Sequence, residues 1–301
     1  MTGMASLPLA LSRPISPWLE MGAYEYLWTN AHQTFKKIAD LFRDKEDALP
    51  SDFILRPFAE QCAKEATELF VRAHIKHFGI RVYGTGDYPE RLRDAKNPLE
   101  LLYFQGWWDL LHTPSVAVVG TRKPTDAGLA RTEKLVRNLV KDGYTIMSGL
   151  AAGIDTVAHQ TAIGSEGRTI AVIGTPLSRV YPPENADLQK RIARDYLLIS
   201  QVPVIRYSRQ DWRSNRSFFP QRNITMSALS AATVIVEAGE TSGTLMQAAA
   251  AIQQKRKLFI LDSCFQDSGL TWPKKYQEMG AIRVKEYEDI RKHLADPTPE
   301  N

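Results

Sequence analysis

Between Ser115 and Val284 the chain repeats one pattern: a short apolar, β-branched run, then a segment with helical spacing. The runs are SVAVVG, YTIMSG, TIAVIG, YLLIS, TVIVEA, KLFIL and AIRV. Runs this short, without polar alternation, are expected of strands buried on both faces. Helical spacing is expected over 125–141, 154–163, 185–195, 223–229, 243–254 and 272–279. Strands separated by helices pair in parallel, which predicts an α/β fold, an extended Rossmann-like doubly wound parallel sheet. In such sheets ligands sit beyond the carboxyl ends of the strands, where strand order reverses. The search for function therefore concentrates on the loops that follow strands.

The flanks differ. TFKKIADLF and PFAEQCAKEATELFVRAHIKHF carry apolar residues at three- and four-residue steps, so residues 1–80 are expected to form a small helical domain. Turns rich in Gly and Pro then lead to a short extended segment in LLYFQG. The Rossmann-like unit is assigned to 81–290, and 291–301 reads as a disordered tail. With 44% hydrophobic and 24% charged residues, the composition excludes disordered, collagenous and coiled-coil chains. No apolar run reaches the ~18 residues of a membrane helix. The N-terminus has no basic start and its apolar stretch is cut by prolines, so no secretory leader is expected. Cys62 and Cys264 are too far apart for a metal pair or disulfide framework, which points to the cytoplasm. The net charge is only +4, but Lys190–Arg222 holds eight basic residues against Asp195 and Asp211. Concentrated positive charge is what an anionic partner requires.

Four strand ends stand out. In Gly120-Thr121-Arg122 the glycine permits a tight turn, and Arg122 precedes a helix start where free amides and a fixed cation hold phosphate. It is not GxGxxG, so the dinucleotide fingerprint fails. Ser148-Gly149-Leu150-Ala151-Ala152-Gly153 is a small-residue loop that brings backbone amides to an anion, or packs a helix tightly on a sheet. Asp155 and His159 lie one turn apart beyond it; a structural role is favoured over a catalytic dyad, since no nucleophile is suitably spaced. Phe218-Phe219-Pro220-Gln221-Arg222-Asn223 closes the basic stretch. There Tyr207, Trp212, Phe218 and Phe219 interleave with Arg206, Arg209, Arg213 and Arg216, as in proteins that stack and neutralise single strands. Finally Glu237 ends a strand, and Ser242-Gly243-Thr244 opens the next helix with hydroxyls and amides. No P-loop, HExxH, hydrolase elbow or Cys/His metal spacing occurs. No metal, cofactor or catalytic residue is assigned.

Together these strand ends resemble the DNA-processing protein A family (DprA, also called Smf) over residues 82–284. The resemblance rests on VAVVGTRKPT, SGLAAGIDTVAH, TIAVIGTPLSRVYPPEN, FFPQRN and VIVEAGETSGTLMQAAAA, in order. It implies a Rossmann-like domain that binds single-stranded DNA, helps load a RecA-type recombinase and acts as a homodimer. It places Gly120, Thr121, Arg122, the Ser148–Gly153 loop, Arg222 and Asn223 along an anionic groove. The chain departs from the family where Thr125-Asp126-Ala127-Gly128 replaces Ser-x-Tyr-Gly. It departs again where Ile224 removes the second cation of Arg-Asn-Arg, and where Asp262-Ser263 replaces Pro-Gly. Too few residues follow the last expected helix for the C-terminal winged-helix domain of many members. These departures leave recombinase loading and phage defence with another protein partner both open.

The broader superfamily also contains phosphoribohydrolases of the LOG type, which resemble this chain at Gly243-Thr244. Their paired glutamates correspond here to Met246 and Gln247, which cannot serve as carboxylate acid or base. The alternative reading is thus a nucleotide-binding regulator or antitoxin-like partner using the same groove. The first reading is a non-enzymatic single-stranded-DNA-binding protein. Its phosphate contacts fall to Arg122, Arg222 and the loop Ser148, Gly149, Ala151, Gly153. Stacking falls to Phe218 or Phe219, and support to Arg213, Arg216, Asn223, Ser242, Gly243 and Thr244.

Overall fold

The computed structural model describes residues 14–294 except 31 and 46. Three helices open it: α1 (Pro17–Trp28), α2 (Phe35–Arg43) and α3 (Arg56–Arg72). Strands β1 (Gly79–Val82) and β2 (Leu101–Gly106) follow. Alternation then begins with β3 (Ser115–Val119), α4 (Asp126–Lys141), β4 (Thr145–Ser148), α5 (Ile154–Gly164), β5 (Thr169–Ile173), α6 (Ala186–Asp195) and β6 (Leu197–Ser200). Helices α7 (Val204–Arg209), α8 (Trp212–Asn215) and α9 (Phe218–Leu229) fill the basic stretch. The chain ends in β7 (Ala232–Ile235), α10 (Thr244–Gln253), β8 (Lys257–Leu261), α11 (Ser263–Gln266), α12 (Trp272–Glu278), β9 (Ile282–Val284) and α13 (Tyr287–Leu294).

The nine strands of the described residues make one sheet in the order β1-β2-β6-β5-β4-β3-β7-β8-β9. From β6 to β9 neighbours are parallel, whereas β1 and β2 join antiparallel at the β6 edge. The two-residue side-chain period sends Val116, Val118 and Val234 to one face, under α4, α5 and α13. Ala117, Val119 and Ile235 go to the other, under α9 and α10. β3 lies between β4 and β7, so the order reverses there, and the carboxyl ends of β3 and β7 flank the switch point.

Helices α1–α3 share the apolar core of the sheet: Phe70 lies 5.8 Å from the Tyr103 ring of β2. Polar ties fix their position. Arg206 donates to the Gln33 carbonyl at 2.8 Å, and Arg209 pairs with Glu65 at 2.7 Å. Ser16 caps α1 ahead of Pro17, and Thr34 caps α2, each satisfying an amide the helix leaves open.

The sequence pattern located the strands of the alternating unit and missed detail around them. The expected helix at 223–229 begins five residues earlier, at Phe218. Pro220 is tolerated because a first-turn residue needs no intrahelical amide bond. Helices α7 and α8 replace an expected irregular connection. The expected tail at 291–301 is helical through Leu294, and its remainder lies outside the described residues. No described helix is long and apolar enough to cross a membrane.

Glu25 of α1 is fully buried and accepts hydrogen bonds from the Tyr103 hydroxyl and the Val204 and Ile205 amides. Burial raises its pKa to about 7, against the pull of those three donors. The folded protein therefore keeps a proton that the unfolded chain releases near pH 4.5, and stability falls as pH rises from there to about 7. Glu25→Gln should flatten this slope by roughly 2–3 kcal/mol. Chemical denaturation at pH 5 and pH 7.5 measures it; an unchanged slope in the variant would show that another group controls it.

Candidate nucleic-acid interface

At the switch point lies a crevice of about 330 Å³. The loop after β3 contributes Gly120, Thr121, Arg122 and Lys123, the β4–α5 connection contributes Ala151, and the first turn of α5 contributes Asp155. Arg222, Asn223 and Met226 enter from α9, and Ser242, Thr244 and Gln247 from the start of α10.

Its floor holds two buried charges, Asp155 and Arg222, each bonded to backbone groups rather than to the other. The Asp155 carboxylate accepts from the amides of Gly149 at 3.1 Å and Ala151 at 3.4 Å. Arg222 donates through Nη1 to the carbonyls of Gly149 and Val172, and through Nε to Asn223 Oδ1. Burial pushes the Arg222 pKa down to about 10 while Asp155 resists the shift. Burial raises Asp155, and Arg222 opposes that. His159 does not pair with Asp155: its Nδ1 meets Thr169 Oγ1 at 2.7 Å, and burial depresses its pKa to about 3, so the ring is neutral.

The N-terminus of α4 is also filled from within. Glu237 accepts from the Thr125 amide at 3.1 Å and hydroxyl at 2.8 Å, with Arg131 at 3.4 Å. A carboxylate thus occupies the helix end where dinucleotide folds place a phosphate. Opposite, the Thr244 hydroxyl donates to the Gly120 carbonyl, Ser242 Oγ accepts from the Thr244 amide, and Asn223 donates to the Gly243 carbonyl. These bonds join α9 and α10 to the end of β3.

The mouth is cationic and aromatic. Arg122 is exposed, and its guanidinium lies 5.9 Å from the Phe219 ring centre. Phe219 packs on Gly174, where a Cβ would come within 2.5 Å of the ring, and lies 5.2 Å from the exposed Tyr181 ring.

A sequence profile of the DNA recombination-mediator protein A family matches residues 79–295. The chain belongs to this family. Protein Smf of Synechocystis sp. is 42% identical over 179 residues, 58% of this chain and 44% of its own. DNA processing protein DprA of Bacillus subtilis is 33% identical over 210 residues, 69% of each chain. The chain covers 61% of the Streptococcus pneumoniae DprA sequence. It therefore spans from under half to about two-thirds of these relatives' lengths. The crystal structure of DNA processing protein A from Streptococcus pneumoniae has TM-score 0.69 at 27% identity, covering 92% of this chain and 98% of its own. A Helicobacter pylori structure concerned with the single-stranded DNA binding mode of its DNA processing protein A has TM-score 0.62 at 28% identity, covering 74% and 97%. The doubly wound fold expected from the strand pattern is the fold of this family.

Within this DprA/Smf frame the anticipated residues divide. Gly120, Thr121, Arg122, Ala151, Arg222, Asn223, Ser242 and Thr244 line one crevice. Gly153, at φ +79°, lies against the Thr121 carbonyl, where a Cβ would approach within 2.5 Å. Gly243 presents its carbonyl to Asn223. Ser148 and Gly149 correct the expectation that their loop faces a ligand: both are buried, the Ser148 hydroxyl donates to the Val118 carbonyl, and the Gly149 amide serves Asp155. Phe218 likewise belongs to the core, 5.9 Å from Phe35, which leaves Phe219 as the ring at the mouth. Arg213 and Arg216 lie outside the crevice, around Trp212. The residue-level reading missed Lys123, Met226 and Tyr181. Met226 follows Arg222 by one helical turn, a spacing hidden until the helix start is known.

Removing the floor carboxylate should strand the buried Gly149 and Ala151 amides. Asp155→Ala is expected to lose about 1–3 kcal/mol of stability, the cost of leaving buried donors without an acceptor. Thermal denaturation checks this; an unchanged midpoint would mean that solvent already reaches those amides.

Proposed function

We propose that this chain binds single-stranded DNA along the switch-point crevice and its aromatic mouth, and that it serves DNA processing in recombination. The observation that carries the reading is Arg122. It is exposed at the mouth, beside Phe219, and makes no ion pair among the described residues, while neighbouring anion sites already hold Asp155 and Glu237. A strand presents phosphate to Arg122 and to Lys123, and a base face to Phe219, the combination that binds single strands with little sequence preference. The Helicobacter pylori protein supports the reading as a family member with a single-stranded DNA binding mode.

The role proposed is binding without bond cleavage. Gln247 is buried and donates to Thr233 Oγ1, Met246 points to solvent, and the Asp155 carboxylate is consumed by backbone amides. Delivery of the strand to a RecA-type recombinase by a homodimer is the cellular step this reading favours; family membership supports it.

The test is a fluorescence-anisotropy titration with a labelled single strand of about 20 nucleotides at two salt concentrations. Duplex DNA and a mononucleotide serve as competitors. Wild type should prefer the single strand. Arg122→Ala should weaken binding to every sequence and lower the salt slope by about 0.7, the share of one single-strand phosphate contact. An unaltered curve for a folded Arg122→Ala protein refutes the assignment. Preferential competition by the mononucleotide would give the crevice to a small phosphorylated ligand instead.

A further inference from the structure

The crevice opens in two directions, and charge separates them. Through Thr121 and Lys123 it adjoins a hollow that also holds Glu237 and Asp267, and beyond Arg131 lies another with Asp262, Glu286 and Glu288. Lysines stand among these carboxylates, so a polyanion gains little by passing that way. On the other side Arg179, Arg213 and Arg216 are exposed. Asp211 there accepts from the Arg213 and Ser214 amides at the start of α8, and Glu65 is paired with Arg209.

On this side the aromatic surface continues. Tyr181 and Arg179 lie near Tyr207, whose carbonyl accepts from Asn215 of α8 at 3.1 Å. Trp212 of α8 is 65% exposed, with Arg213 5.5 Å and Arg216 5.9 Å from its ring. The Phe219 amide donates to the Arg216 carbonyl at 3.3 Å, so a single turn of chain joins the Trp212 cluster to the Phe219 platform. Neither Arg213 nor Arg216 has a carboxylate partner among the described residues. A largely exposed indole beside two guanidiniums presents ring surface to a base and charge to the adjoining phosphates.

We propose that Trp212 is a second base-stacking residue, and that the DNA strand leaves the crevice over Phe219 and Tyr181 toward α8. This rests on the single-strand reading above and adds its direction and footprint. Wild type, Trp212→Ala and Trp212→Phe are titrated with poly-dT oligonucleotides of about 5 and about 15 nucleotides, spanning the usual range of single-strand site sizes. Trp212→Ala should bind the longer strand about tenfold more weakly, the loss of one stacked base, and the shorter strand almost unchanged. Its salt slope should stay at the wild-type value, because stacking releases no counterions. Trp212→Phe should recover most of the affinity. Equal losses at both lengths, or full affinity of Trp212→Ala for the longer strand, overturns the path. If Arg122→Ala weakens binding while Trp212→Ala does not, only the path fails. If wild type binds neither strand, the single-strand reading fails with it.

Discussion

Asp155 and Arg222 are 67 residues apart in the chain, yet both are buried at the carboxyl edge of the sheet, where each eases the other's charge. Asp155 folds back onto the Gly149 and Ala151 amides, which gather into a concavity with a strong preference for negative charge. Arg222 reaches from α9 to the carbonyls of Gly149 after β4 and Val172 in β5. One guanidinium therefore sets the distance between a helix and two strand ends. Burying both charges costs several kcal/mol each, and only their proximity and near-complete hydrogen bonding offset it. The position of the crevice walls follows from that arrangement, as does the presentation of Asn223 and Phe219 one residue and three residues to either side.

The same device recurs. Glu237 fills the start of α4, and Glu25 meets the amides at the start of α7. In a doubly wound fold such amide clusters commonly await a ligand's phosphate. Here side-chain carboxyl groups hold three of them, so the remaining attraction for an anion comes from side chains at the mouth. The proposed single-strand contact accordingly falls to the mouth's charged and aromatic side chains rather than to a pocket that encloses a phosphate.

Much of this was legible in the sequence and some was not, for identifiable reasons. Short apolar runs such as SVAVVG and TIAVIG have one stable use, a strand covered on both faces, so the sheet could be read from them. The edge strand GIRV and the helix Pro17–Trp28 lack that signature. Charge density from Lys190 to Arg222 showed a basic segment but not which arginines it could offer. Arg206 and Arg209 attach the N-terminal helices, and Arg222 is buried. Phe218 and Phe219 are adjacent in sequence and about 100° apart around α9, so one faces the core and the other the mouth. Which is which depends on where the helix begins, and the pattern placed that start too late. Ser148 and Gly149 were ambiguous for a deeper reason: small residues suit both an amide nest and tight packing, and the nest is present but already holds Asp155.

The same division of arginines bears on what kind of strand the surface suits. With Arg206, Arg209 and Arg222 committed to internal contacts, Arg213 and Arg216 remain exposed beside Trp212, and Arg122 beside Phe219 and Tyr181. Counterion release scales with the number of phosphates met and is blind to strandedness, so on the proposed reading these cations act alike on any nucleic acid. Stacking adds to that only when base faces are accessible, and a duplex hides them in its own stack. On the proposed reading, exposed rings set beside these cations discriminate single from double strands through the stacking that a duplex cannot offer.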